Sequence, residues 1–124
     1  MPEYTPTYLP GTEVTFTAGA DIVGGQVVVL STDNTVIPSA GGSNKVVGIA
    51  TNDTKAGARL TVSRGGVQNP LTTAAIAAGT SFKSAAAGKI AAWVSGTDPA
   101  DQLLGFTLTT AAAADARPDV SWRA

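Results

Sequence analysis

Ala20-Asp21-Ile22-Val23-Gly24-Gly25-Gln26-Val27-Val28-Val29-Leu30 decides the reading of this chain. Two glycines close a loop, and a β-branched run follows at once. Branched side chains pack well on a pleated surface. An apolar run of strand length without alternation predicts a strand buried on both faces. The pattern recurs in Ala74-Ala75-Ile76-Ala77-Ala78-Gly79-Thr80-Ser81-Phe82-Lys83, with Ile22 answered by Ile76 and Gly25 by Gly79, a shift of 54. A glycine loop used twice reads as scaffold, the corner of each half of a small β structure, rather than as a ligand cradle.

The surroundings extend the pattern. Glu13 to Thr17 alternates and predicts a strand. Ser31-Thr32-Asp33-Asn34 carries turn chemistry, because Asp and Asn hydrogen-bond their own backbone and tolerate left-handed angles. Thr35-Val36-Ile37 returns as a hairpin partner, stopped by Pro38. Ser39 to Asn44 reads as a flexible polar loop. Val46 to Ala50 reads as a buried strand in which Gly48 marks a bulge or a close backbone approach. Arg59 to Arg64 alternates with Leu60 and Val62 inward, and Gly65-Gly66 is a turn signal. Pro70 makes Val67 to Leu71 an edge strand or no strand.

The second half replays this order. Phe82 falls where Val28 was, Ala87-Gly88-Lys89 where Asp33-Asn34-Thr35 was, and Ile90 where Val36 was. Leu103-Leu104-Gly105-Phe106 answers Val46-Val47-Gly48-Ile49 at a shift of 57, and Arg117, Val120 and Ser121 answer Arg59, Val62 and Ser63 at a shift of 58. The shift grows only across loops, as in a duplication with loop insertions. The expected fold is mainly all-β: a small barrel or sandwich of two similar halves. Residues 13–124 form one domain, with the repeat over 13–67 and 71–124. Alanine is the best helix former, so one helical turn is expected near Thr72 to Ala78. Another is expected near Pro99 to Leu103, where Asp98 can cap and Pro99 suits the first helical position. Gly79, Gly88 and Gly96 stop anything longer.

Residues 1–12 hold Pro2, Pro6, Pro10 and Gly11, which forbid a stable helix and favour extended backbone. Two readings stand side by side. The segment is a frayed terminus, or it is an arm that orders against a partner, with Tyr4, Tyr8, Leu9 and Pro10 as anchors.

Composition narrows the function classes. The 124 residues suffice for one domain whose core is thin in aromatics and rich in Ala, and thin cores gain from oligomerising. Eight Lys plus Arg against nine Asp plus Glu leave no basic patch, which disfavours nucleic acid as a direct partner. With no Cys there is no disulfide or thiol redox chemistry, and with no His the usual metal ligand and neutral-pH acid/base are missing. Met1-Pro2-Glu3-Tyr4 is not a secretory start, and no apolar stretch approaches membrane-spanning length. Synthesis in the cytosol and no membrane partner are expected.

The residues that could carry chemistry read better as surface. Ser43/Lys45 and Ser81/Lys83 bring Ser near Lys, as nucleophilic catalysis would need, but in a glycine-rich loop and an exposed strand. Gly88-Lys89 lacks the rest of a phosphate-binding loop. Asp98 with Asp101, and Asp115 with Asp119, read as turn and capping residues rather than metal ligands. Trp93 reads as packing. Trp122 beside Arg123 reads first as packing and second as a subunit-interface pair, since aromatics and Arg are enriched at hot spots. No catalytic residue, metal site or cofactor is expected.

Taken together, the chain resembles the small capsid decoration (cement) proteins of tailed bacteriophages. The resemblance rests on Tyr8-Leu9-Pro10-Gly11 leading into Val14, on Ala20 to Val28, and on Val46-Val47-Gly48-Ile49-Ala50. It continues through Val62-Ser63-Arg64-Gly65-Gly66-Val67, Ala85-Ala86-Ala87-Gly88-Lys89-Ile90 and Leu104-Gly105-Phe106. It implies a non-enzymatic virion protein on the outer surface of the capsid, commonly a homotrimer at local three-fold positions. Such a protein bridges major capsid protein subunits and stabilises the expanded head. Residues 1–12 would then be the capsid-binding arm. Some relatives carry a recombinase label, against which the missing phosphate loop argues. The chain departs from the pattern at Ala111 to Ala114 and Arg117-Pro118. The alternative is a phage fibre or tail adaptor, or a carbohydrate-binding β module.

Overall fold

The computed structural model describes residues 13–122. Ten strands form two sheets. β1 (Val14–Ala18), β2 (Val27–Thr32), β3 (Thr35–Pro38), β4 (Val46–Ala50) and β5 (Arg59–Ser63) close into a barrel in the order β1-β3-β2-β4-β5. β6 (Gly66–Gln68), β7 (Ser81–Ser84), β8 (Ile90–Ala92), β9 (Gly105–Thr107) and β10 (Val120–Trp122) form an open sheet in the order β6-β10-β9-β7-β8.

Both sheets follow one pairing plan. Leu30 opposes Val36 in the β2/β3 hairpin as Ser84 opposes Ile90 in β7/β8. Val14 opposes Val62 between β1 and β5 as Gln68 opposes Val120 between β6 and β10. The antiparallel bridge Ile22–Thr54 has its counterpart in Ile76–Ala111. The parallel pair Ala18–Val36, which helps to close the barrel, has its counterpart in the single bridge Thr72–Ile90. Proline explains why the second sheet stays open. Pro70 stands where Phe16 stands in β1, it has no N–H for a ladder, and β6 ends at Gln68.

The glycine corners do the same work twice. Gly25 and Gly79 take φ of 92° and 81°, a region open to Gly at little cost. Their N–H groups donate to Ala50 O at 2.8 Å and Thr107 O at 2.7 Å, tying each corner to the end of a strand further along the chain, β4 and β9. Gly48 and Gly105 are matched by a different need. A Cβ at either would collide with the backbone carbonyl of Ser63 or Ser121 on the adjacent strand. Gly48 also adjoins a register shift between β2 and β4, so both readings of it, bulge and close approach, hold.

Side-chain alternation builds two cores. Ala18, Ile22, Val28, Val36, Ala50, Leu60 and Val62 fill the barrel. Ile76, Phe82, Ile90, Leu104, Ala111, Val120 and Trp122 fill the second core, joined by Val27 and Ile49 from the barrel's own strands. Val27 and Val28 are both fully buried because they point into different cores. The Phe82 and Trp122 rings meet at 5.5 Å and 57°, an offset-tilted geometry that aromatic quadrupoles favour. Gly105, opposite both residues in the ladder, leaves room for that contact.

Four local expectations need correction. Leu30 is 42 % exposed at the end of the barrel rather than buried. Thr72 to Ala78 is not helical: Thr72 and Ile76 are pinned by β-bridges, and tertiary pairing overrides alanine propensity. The turn at Ala100–Gln102 does form, but Asp98 does not cap it. Ser39 opens a loop that is not free, because it is buried and its Oγ–H donates to Ala85 O at 2.6 Å. A further single 3-10 turn spans Ala86–Gly88.

Candidate functional site

The polar side chains singled out above are dispersed and tied to one another. Ser43 Oγ accepts the Lys45 backbone N–H at 3.0 Å. Lys83 Nζ pairs with Asp98 Oδ1 at 2.7 Å, and Asp98 Oδ2 accepts the Val94 N–H at 2.7 Å. The Lys83 hydrogen bond, joined by the Val94 N–H, holds the Asp98 carboxyl below the usual carboxylate range. Asp101 accepts from Asn44 Nδ2 at 3.0 Å, Asp115 pairs with Lys89 at 2.6 Å, and Asp119 accepts from Asn69 Nδ2. Each carboxylate thus has its own partner, and no group of three or more acidic side chains converges among the described residues.

Three open surfaces remain, one of them a hollow lined by Asp21, Ile22, Val23, Asp53, Thr54 and Lys55. The first is a dish of about 580 Å³ at the end of the barrel where β1 begins and β5 ends. Phe16, Leu30 and Val47 line it, with Asp33, Asn34 and Arg64 at its polar side. Arg64 Nε–H donates to Val47 O at 3.0 Å, which fixes the guanidinium against the Val46-Val47 bulge.

The second is the outer face of the open sheet. Val67 opposes Ser121, Ser121 opposes Phe106, and Phe106 opposes Ser81. These four therefore form one row across the sheet, on the face opposite to Phe82 and Trp122. Trp93 N–H donates to Ser81 O, which extends the row to Trp93. Val67 is 62 % exposed and Phe106 43 %. Leu108, exposed to the same degree as Phe106, follows two residues on, beside the Asn69–Asp119 pair. Sequence reading passed over this face. The available signal was alternation around Gly105: a glycine that faces the core obliges Phe106 to face outward.

Of the residues expected at interfaces, Tyr4, Tyr8, Leu9, Pro10 and Arg123 lie outside the described residues. Trp122 is 5 % exposed and packed in the second core, so its packing reading is the one its surroundings support. Its Nε1–H is buried with no hydrogen-bond partner among the described residues. Trp93, the other tryptophan, is half-buried and donates Nε1–H to Pro99 O at 2.8 Å.

Two stacked β units with internally tied polar groups set the class as a small all-β module. The class can be narrowed by comparison. Residues 9–122 match the phage cement protein family, and the chain belongs to that family: it is a structural protein of the phage head. Among solved structures it is similar to the head fiber gp8.5 N base of bacteriophage phi29. The TM-score is 0.69 at 12 % identity, covering 90 % of this chain and 93 % of that one. At that identity the likeness is one of fold. No curated protein sequence matches the chain.

Proposed function

We propose that the chain is a cement protein that binds the outer surface of the expanded phage head and stabilises the major capsid shell. In this reading it acts as a homotrimer at local three-fold positions, without catalysis or cofactor. It is made in the host cytoplasm and ends on the virion. Residues 1–12 form the capsid-binding arm, with Tyr4, Tyr8, Leu9 and Pro10 as contacts. The observation that carries the reading is the family match over residues 9–122. The uncovered apolar surfaces, which suit docking rather than chemistry, support it further. An extended arm can add backbone pairing to a neighbour's sheet edge, and many weak contacts repeated over a shell sum to high avidity.

The test is co-sedimentation with expanded shells. The full chain should pellet with shells at near-stoichiometric occupancy, and a chain lacking residues 1–12 should bind far less while keeping its circular dichroism. Equal occupancy of the two sinks the arm assignment; no binding by the full chain sinks the cement reading. The likeness to a head-fibre base favours a second reading, in which the module anchors a fibre to the head. Electron microscopy of decorated shells separates the two, since a fibre base carries a filament and a cement protein a low knob.

A further inference from the structure

We infer that the dish at the end of the barrel is the seat of Leu9, where the chain's own N-terminal segment docks before a shell is met. This deepens the proposed function and rests on it in one respect: the shell then takes over the same side chain. Phe16, Leu30 and Val47 give the dish its apolar lining. Phe16 and Val47 are half-buried, and Leu30 is 42 % exposed directly after the buried run of Val27, Val28 and Val29.

The duplicated plan shows that this end of a β unit takes a cover. Phe16, Leu30 and Val47 correspond to Pro70, Ser84 and Leu104 of the second unit, at shifts of 54, 54 and 57. Pro70 and Ser84 are fully buried and Leu104 is 5 % exposed. Part of that cover comes from outside the second unit. Ser84 Oγ–H donates to Gly41 O at 2.8 Å, and the Gly88 N–H donates to Ser39 O at 3.1 Å. The loop joining β3 to β4 thus lies over the second unit at the place where the barrel stays open.

The N-terminal segment is positioned to supply the missing cover. Val14 pairs with Val62, two residues before Arg64, which lines the dish. The segment before β1 therefore joins the barrel at the rim of the dish. Leu9 lies five residues before Val14, within about 18 Å even for fully extended chain. Leu9-Pro10-Gly11-Thr12 also holds Pro and Gly at the two central places of a type II turn, a turn that brings its first and fourth residues within about 7 Å. Such a turn sends Leu9 back over the barrel end. The family match makes the same division: it begins at residue 9, taking Leu9 with the barrel and leaving residues 1–8 outside the matched span. An aliphatic side chain on an aliphatic and aromatic lining removes apolar surface from water on both sides.

The chain has no cysteine, so a cross-link tests the contact cleanly. Leu9→Cys with Leu30→Cys, treated with oxidised glutathione, should form a disulfide within one chain, which needs Cα atoms within about 7 Å. It should form at least about tenfold faster than in Leu9→Cys with Val23→Cys, on a loop at the opposite end of the barrel. Equal rates in the two pairs overturn the inference, and so do cross-links found only between chains. Chymotrypsin is the second measurement, with cleavage after Tyr4 as internal reference. Leu30→Asp, folded by circular dichroism, should raise cleavage after Tyr8 by at least about tenfold; cleavage equal to wild type overturns the seat. Shell co-sedimentation keeps the two proposals apart. The oxidised Leu9/Leu30 pair should bind expanded shells more weakly than the same protein reduced, and equal binding overturns the hand-over. A wild type that binds shells while the pair fails to cross-link removes the seat and leaves the cement reading standing. Cross-linking beside a wild type that ignores shells does the reverse.

Discussion

Val27→Ala and Val28→Ala form a matched pair that tests whether the two units fold as one. The residues are neighbours on β2 and both are fully buried. Val28 points into the barrel core and Val27 into the core of the second unit. Each substitution removes the same two methyl groups, worth about 0.8 kcal/mol apiece in transfer, and leaves a cavity besides. The expected loss is about 2–3 kcal/mol for each, against a total stability on the order of 5–15 kcal/mol for a domain. That corresponds to a melting temperature lower by about 8–12 °C, and a urea midpoint lower by about 1–2 M. Tryptophan fluorescence makes a selective assay, because Trp93 and Trp122 both lie in the second half of the chain. If the shared core makes one cooperative unit, Val28→Ala moves the tryptophan transition as far as Val27→Ala does, and circular dichroism follows the same curve. The reasoning fails if Val28→Ala leaves the tryptophan transition in place while circular dichroism splits into two steps.

Three further outcomes are expected. Gly105→Ala drives a Cβ into the Ser121 carbonyl and against the Phe82 ring. It should cost about 1–3 kcal/mol or more in thermal denaturation, whereas Gly41→Ala, where the new atom meets open space, should melt like wild type. Ser39→Ala leaves the Ala85 carbonyl without its donor and should cost about 1–3 kcal/mol in urea titration. Asp98 has its carboxyl lowered by Lys83 and the Val94 N–H. Its contribution is therefore present above the ordinary carboxylate range and lost as pH falls through the lowered folded value. Asp98→Asn should flatten the acid limb of melting temperature against pH, and an unchanged limb would show that the pair contributes nothing.

Much of the scaffold was legible because its constraints are local. Gly25 and Gly79 must take positive φ, Gly48 and Gly105 must leave space, and the inward positions 28, 36 and 62 recur as 82, 90 and 120. Each writes itself into the sequence as a residue type at a fixed offset. What did not show was the difference between the halves. Leu30 looked like a continuation of a buried strand, yet it sits at the open end of the barrel, 42 % exposed. Thr72 to Ala78 looked helical because alanine propensity is local, whereas the bridges of Thr72 and Ile76 reach across to Ile90 and Ala111. Asp98 looked like a cap because Pro99 follows it, but its ion pair with Lys83 spans a distant stretch of chain.

The candidate surface was hidden for a related reason. Burial of Val27 and Ile49 depends on a second unit lying over the barrel, whereas no described residue lies over Phe106. Neither fact is a property of the strand that carries the residue. Val27 and Ser81 occupy matching places, and what separates them is which face found a partner within the chain. Pro70, with Pro118 at the matching place on the strand opposite it, interrupts the pairing that closes the barrel, so the second sheet stays open and its interior takes the barrel's side chains as its core. The same arrangement that fills the second core leaves Phe106 and Val67 outermost among the described residues.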